Sequence, residues 1–85
     1  MKYNKKTKEF YITTRNKVYE YLKTNIGNAY TASVIINNLE EDSKNSSFKK
    51  YMKNNGGKIL TEMSIDEYIQ TTEKDGQLYY FFISD

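Results

Sequence analysis

The dipeptide Asp75-Gly76, set just ahead of Leu78-Tyr79-Tyr80-Phe81-Phe82-Ile83, is the segment of this chain with the fewest ways to fold. Both residues accept the positive φ angles of a two-residue type I′ loop, and six consecutive large apolar residues read as a strand. The antiparallel partner would be residues 66–73, DEYIQTTE, in which Thr71-Thr72 favours an extended backbone. A competing signal is the capping-box spacing of Ser64-Ile65-Asp66-Glu67, which would open a short helix through Ile69. The hairpin takes precedence, because Asp-Gly needs two antiparallel strands on either side of it. Since 78–83 is apolar on both faces, one set, Tyr79/Phe81/Ile83 or Leu78/Tyr80/Phe82, needs cover. Either Phe10, Tyr11 and Ile12 supply it, or a second copy does so in a homodimer built on the C-terminal strand.

An isolated hairpin is marginal in water, so the preceding residues must provide a packing surface. Residues 14–24, TRNKVYEYLKT, form an amphipathic helix with Val18, Tyr21 and Leu22 on one face. Extension backward through Arg15 and Tyr11 keeps the spacing, so segment 1–13 is either a basic N-terminal arm or a continuation of this helix. Asn25-Ile26-Gly27-Asn28 ends it, and Tyr30 suits a short strand. A second helix starts at the cap Thr31 and runs through Ala32, Ile35, Ile36 and Leu39. A third, residues 46–55, is capped by Ser43, Ser46 or Ser47, carries the stripe Phe48, Tyr51, Met52, and is expected to stop at Gly56-Gly57. Lys58-Ile59-Leu60-Thr61-Glu62-Met63 either lengthens that helix or adds a strand. With no Pro, no Gly/Ser linker and no repeat, residues 14–85 read as a single α+β domain.

Composition removes several classes of function. The 85 residues include no Cys and no His, which excludes disulfides, thiolate zinc sites and the familiar serine or cysteine hydrolase constellations, and no cofactor is expected. The neighbouring carboxylates Asp66-Glu67 and Glu40-Glu41-Asp42 read as surface charge, so no catalytic residue and no metal ligand is assigned. No run approaches the ~20 apolar residues that cross a bilayer, and the basic start lacks a signal-type apolar core; a cytoplasmic protein without a membrane partner is expected.

The net charge of +2 hides a strong segregation. Residues 1–23 carry +5, residues 24–42 carry −3, residues 43–58 carry +5 with no acid at all, and residues 59–85 carry −5. A local basic face is what binds phosphate, whatever the total.

Helix, short strand, helix, turn, helix and hairpin is the order of elements in winged helix-turn-helix domains, and VYEYLKTNIGNAYTASVIINNL resembles the opening of that fold. The resemblance covers about residues 14–84. It implies a small DNA-binding domain with the helix at 46–55 as recognition helix and Lys74-Asp75-Gly76-Gln77 as wing tip. On that footing Lys44, Lys49, Lys50 and Lys53 neutralise phosphates, and Ser46, Ser47 and Asn54 hydrogen-bond bases or backbone. Thr31 and Ser33 meet a phosphate at a helix N-terminus, Lys74 contacts the backbone from the wing, and Lys5, Lys6 and Lys8 add a basic arm. The implied function is a transcriptional regulator of phage or mobile-element type with duplex DNA as partner. Two departures stand out: the hairpin is acidic apart from Lys74, and Arg15 is the single arginine.

A second function class fits the same composition. A compact inhibitor or adaptor of the kind with which phages and mobile elements redirect host enzymes would turn Glu62, Asp66, Glu67, Glu73 and Asp75 toward a basic host protein.

Overall fold

No Gly or Pro occurs before Gly27, so nothing in the first 26 residues interrupts a helix. The structure, a computed structural model, describes residues 5–83; the first four residues of segment 1–13, and Ser84 and Asp85, lie outside these. The first element, α1, spans Lys5–Thr24, nine residues longer at its start than residues 14–24, and Lys5, Lys6 and Lys8 belong to its first turn. Its core stripe is Phe10, Thr14, Val18 and Leu22, a spacing of four that keeps one face inward. The helix closes where the Asn25 backbone amide and side-chain amide both donate to the Tyr21 carbonyl, at 3.1 and 2.7 Å, and Gly27 turns the chain with φ +95°.

After the turn, Tyr30 pairs antiparallel with Tyr80 through reciprocal backbone hydrogen bonds of 2.9 and 2.7 Å. Helix α2 follows at Ala32–Glu41, with the Thr31 hydroxyl accepting from the Val34 amide, and it buries Ile35 and Leu39. Helix α3, Ser46–Ile65, is capped by Asn45, whose Oδ1 accepts from the Phe48 amide at 3.1 Å. The cap is therefore none of Ser43, Ser46 or Ser47. Ser43 instead accepts from the Asn45 amide and so helps hold the capping residue, itself extended and among the strongest N-cap types.

Helix α3 does not stop at Gly56-Gly57. Two helical glycines cost about 1 kcal/mol each relative to alanine. Continuing the helix, however, extends the stripe Phe48, Met52, Gly56 to Ile59, Leu60 and Met63, all buried, and each such side chain contributes roughly 1.5–3 kcal/mol. Residues 58–63 are thus helix. The helix ends at Asp66, with the Glu67 amide donating to Ser64 and the Tyr68 amide to Met63 while Glu67 takes φ +64°. This is a Schellman closure, so Ser64-Ile65-Asp66-Glu67 ends a helix and does not begin one.

Strand β1, Gln70–Lys74, pairs antiparallel with β2, Gln77–Phe81, in the register Thr71↔Tyr80 and Lys74↔Gln77. The partner strand is shorter than residues 66–73 because the helix closure uses 66–68. Asp75 and Gly76 have φ +53° and +77°, as a type I′ loop requires. The result is an α+β fold: three helices followed by a two-stranded antiparallel hairpin. One core joins Val18, Leu22, Ile35, Leu39, Phe48, Met52, Ile59, Leu60, Met63, Ile69 and Tyr80. The cover expected from Phe10, Tyr11 and Ile12 lies elsewhere: Phe10 packs on Phe48 and Tyr51, and Ile12 is 47% exposed. Phe82 is covered by Tyr19, edge-on at 5.2 Å, while Leu78 and Ile83 stay exposed. Among the described residues no helix is long and apolar enough to cross a membrane.

Candidate nucleic-acid interface

The inward stripe of α3 dictates what faces out. With Phe48, Met52 and Gly56 in the core, the 3.6-residue period leaves Ser46, Ser47, Lys49, Lys50, Lys53 and Asn54 on the outer surface, and all six are exposed. Lys49 and Lys53 are four residues apart, as are Lys50 and Asn54, and Lys50 and Lys53 are three apart. Neighbours at these spacings have Cβ atoms about 5–6 Å apart, within the ~8 Å screening length of physiological salt, so the ammonium groups act as one field. No carboxylate interrupts them between Ser43 and Lys58. The first on the helix is Glu62, and its Oε2 accepts a hydrogen bond from the Tyr11 hydroxyl at 3.0 Å. The amino-terminal end of α3 adds the positive pole of the helix dipole beneath Ser46 and Ser47.

The remaining site residues of the sequence reading are spread over other elements. Lys44 is exposed in the turn between α2 and α3. Ser33 is exposed in the first turn of α2, whereas the half-buried Thr31 already spends a lone pair of its hydroxyl on the Val34 amide. Lys74 is exposed at the hairpin tip between Glu73 and Asp75, three residues or about 10 Å along the strand from the Tyr30–Tyr80 bridge at ~3.3 Å per residue. The six α3 residues therefore share one face of that helix, whereas Lys74 stands on the hairpin between two acids.

Two residues join the α3 surface because the helix continues: Gly57 and Lys58, both exposed. Ile59, Leu60 and Met63, seven, eight and eleven positions beyond Met52, carry the signal that reveals them.

The single arginine is placed away from these lysines. Arg15 on α1 lies 5.6 Å from the Tyr11 ring and 5.0 Å from the Tyr68 ring, in a cleft of about 370 Å³ that Tyr19 and Met63 also line. Burial, and then the hydrogen bond to Glu62, raise the Tyr11 phenol above its ordinary value; Tyr21 is raised by burial and by neighbouring Tyr30. Both are neutral near pH 7. Among the described residues no three carboxylates converge as a metal ligand set.

No family model, no curated protein and no solved structure matches the chain.

Proposed function

We propose that this protein is a winged helix-turn-helix DNA-binding protein, a transcriptional regulator of phage or mobile-element type acting in the cytoplasm, and not an enzyme. The observation that carries the reading is the outer face of α3, where Lys49, Lys50, Lys53, Ser46, Ser47 and Asn54 are exposed together on an acid-free stretch. The arrangement around it supports the same reading. Three helices precede a hairpin, and Tyr30, between α1 and α2, pairs with β2 in the place where such domains carry a short strand.

The division of labour follows from chemistry. Lysine ammonium groups displace condensed counterions from the duplex, which yields affinity that falls steeply with salt. Ser46, Ser47 and Asn54 offer hydroxyl and amide groups that both donate and accept, able to meet base edges or phosphate oxygens. With Arg15 stacked between tyrosines, no guanidinium is available to α3 for the bidentate reading of guanine. Backbone contact therefore outweighs base readout. The wing contributes little, since Glu73 and Asp75 offset Lys74. Thr31, Ser33 and Lys44 extend the backbone contacts from the start of α2 and from the turn.

The host-protein reading draws on the acidic residues instead, Glu62, Asp66 and Glu67 at the end of α3 and Glu73 and Asp75 on the hairpin, of which Asp66, Glu67, Glu73 and Asp75 are exposed. One experiment separates the two. In a mobility-shift assay at low salt the wild-type protein retards duplex DNA, and Lys49→Glu with Lys53→Glu abolishes the shift while the circular dichroism spectrum is retained. An unaltered shift in that folded variant removes α3 from the interface. No shift by the wild-type protein on any duplex, with capture of a host protein that is lost in Asp66→Lys/Glu67→Lys, favours the inhibitor.

A further inference from the structure

Among the described residues nothing requires a glycine at position 57. Its φ is not in the positive region that Gly27 and Gly76 occupy, so no turn requires it. A Cβ built there meets nothing within 4 Å, so no packing requires it, in contrast to Gly56 beside it. Yet a glycine in a helix interior costs about 0.5–1 kcal/mol relative to alanine. Its surroundings are exposed and polar: Lys53 and Asn54 one turn before, Lys58 next to it, and Thr61 one turn beyond. The Thr61 hydroxyl donates to the Gly57 carbonyl at 3.0 Å. The result is a bare stretch of helix backbone ringed by cations.

We propose that Gly57 is the point of closest approach between α3 and the sugar–phosphate backbone of bound nucleic acid, and that the interface continues over a further turn to Lys58 and Thr61. The inference rests on the reading of α3 as the DNA-contacting helix. Glycine is the residue that lets another backbone come close. A deoxyribose seated on the exposed Cα leaves the flexible stems of Lys53 and Lys58 free to rise on either side and bring their ammonium groups to the flanking phosphates. A side chain at position 57 would hold that backbone off and lengthen those contacts.

The test is fluorescence anisotropy with a labelled mixed-sequence duplex, measured across a salt series, alongside urea denaturation. Gly57→Ala is expected to be more stable than wild type and to bind about threefold more weakly, and Gly57→Leu about tenfold more weakly. Because neither removes a cation, the slope of log K against log salt stays at the wild-type value in both, whereas Lys58→Gln lowers it by about one. Gly57→Leu binding as tightly as wild type overturns this inference alone, and so does an unchanged slope in Lys58→Gln. A wild-type protein that binds no duplex overturns the parent reading and this one with it.

Discussion

Gly56 of α3 lies so close to Ile36 of α2 that a Cβ on the glycine would stand 2.8 Å from both Cγ1 and Cδ1 of the isoleucine. No ordinary carbon pair sits at that distance. The contact sets how closely α2 and α3 approach, and so the angle at which the basic face of α3 is presented. Gly56→Ala must push Ile36 off its rotamer or move the helices apart, a strain of about 1–3 kcal/mol that exceeds the gain in helix propensity. The expected outcome is a lower urea midpoint. Gly57→Ala, which meets nothing, is expected to stabilise by about 0.4–1 kcal/mol. Equal effects from the two substitutions would contradict this account of the crossing.

Thr14 is 1% exposed, and its Oγ1 has no hydrogen-bond partner within the described residues. A buried hydroxyl left unpaired forfeits about 1–3 kcal/mol of desolvation. Thr14→Val replaces the hydroxyl with a methyl of similar size, and is expected to raise stability by about 1 kcal/mol, read as a higher denaturant midpoint at unchanged slope. A loss of stability would mean that the hydroxyl has a partner, such as a buried water.

Glu67 occupies the left-handed position of the Schellman closure that glycine usually fills. Its Cβ is crowded there, at a cost of roughly 1–2 kcal/mol. Glu67→Gly is expected to recover about 1 kcal/mol in thermal or urea unfolding, and Glu67→Ala, which keeps the Cβ, markedly less. Identical midpoints for the two variants would show that the backbone at 67 is not strained.

The raised Tyr11 and Tyr21 phenols make stability pH-dependent on the alkaline side. The folded state holds these protons more tightly than the unfolded state, whose tyrosines titrate near pH 10. Their contribution is whole below that value and is lost as pH rises through the folded pKa. Urea titrations from neutrality to about pH 12 are expected to show stability falling above pH 10, and falling less in Tyr11→Phe/Tyr21→Phe. Lysine deprotonation is common to both proteins, so parallel curves would deny the tyrosines this role.

How far the sequence reveals the fold depends on whether a local signal had a rival. The rival of the Asp75-Gly76 hairpin, the capping-box spacing Ser64-Ile65-Asp66-Glu67, competes only for the partner strand and leaves the loop itself uncontested, and the hairpin forms with positive φ at both loop residues. Thr31 likewise caps α2 as its position before Ala32, Ile35 and Leu39 suggests. Gly56-Gly57 reads as a stop because glycine usually ends helices, yet Gly56 serves the crossing with Ile36, a contact between residues twenty positions apart that no local pattern contains. The same long-range cause shortens the apparent site: Ser46 to Asn54 are legible as an exposed basic face, while Gly57 and Lys58 join it only once the helix is seen to continue. Asn45 and Ser43 are both capping types, and which of them caps is decided by the geometry of the α2–α3 turn. The placement of Arg15 between Tyr11 and Tyr68 depends on the helix closure at Glu67, again beyond local reach.

The central claim is that the outer face of α3 binds duplex DNA, and an NMR titration of the ¹⁵N-labelled protein with a short duplex at low salt tests it residue by residue. The account expects the largest amide shifts along Ser46, Ser47, Lys49, Lys50, Lys53 and Asn54, with Arg15, Tyr68 and the hairpin residues Thr71–Glu73 little changed, and expects the shifts to collapse as salt is raised. Shifts confined to the acidic hairpin and the end of α3, or no shifts with any duplex, would contradict it.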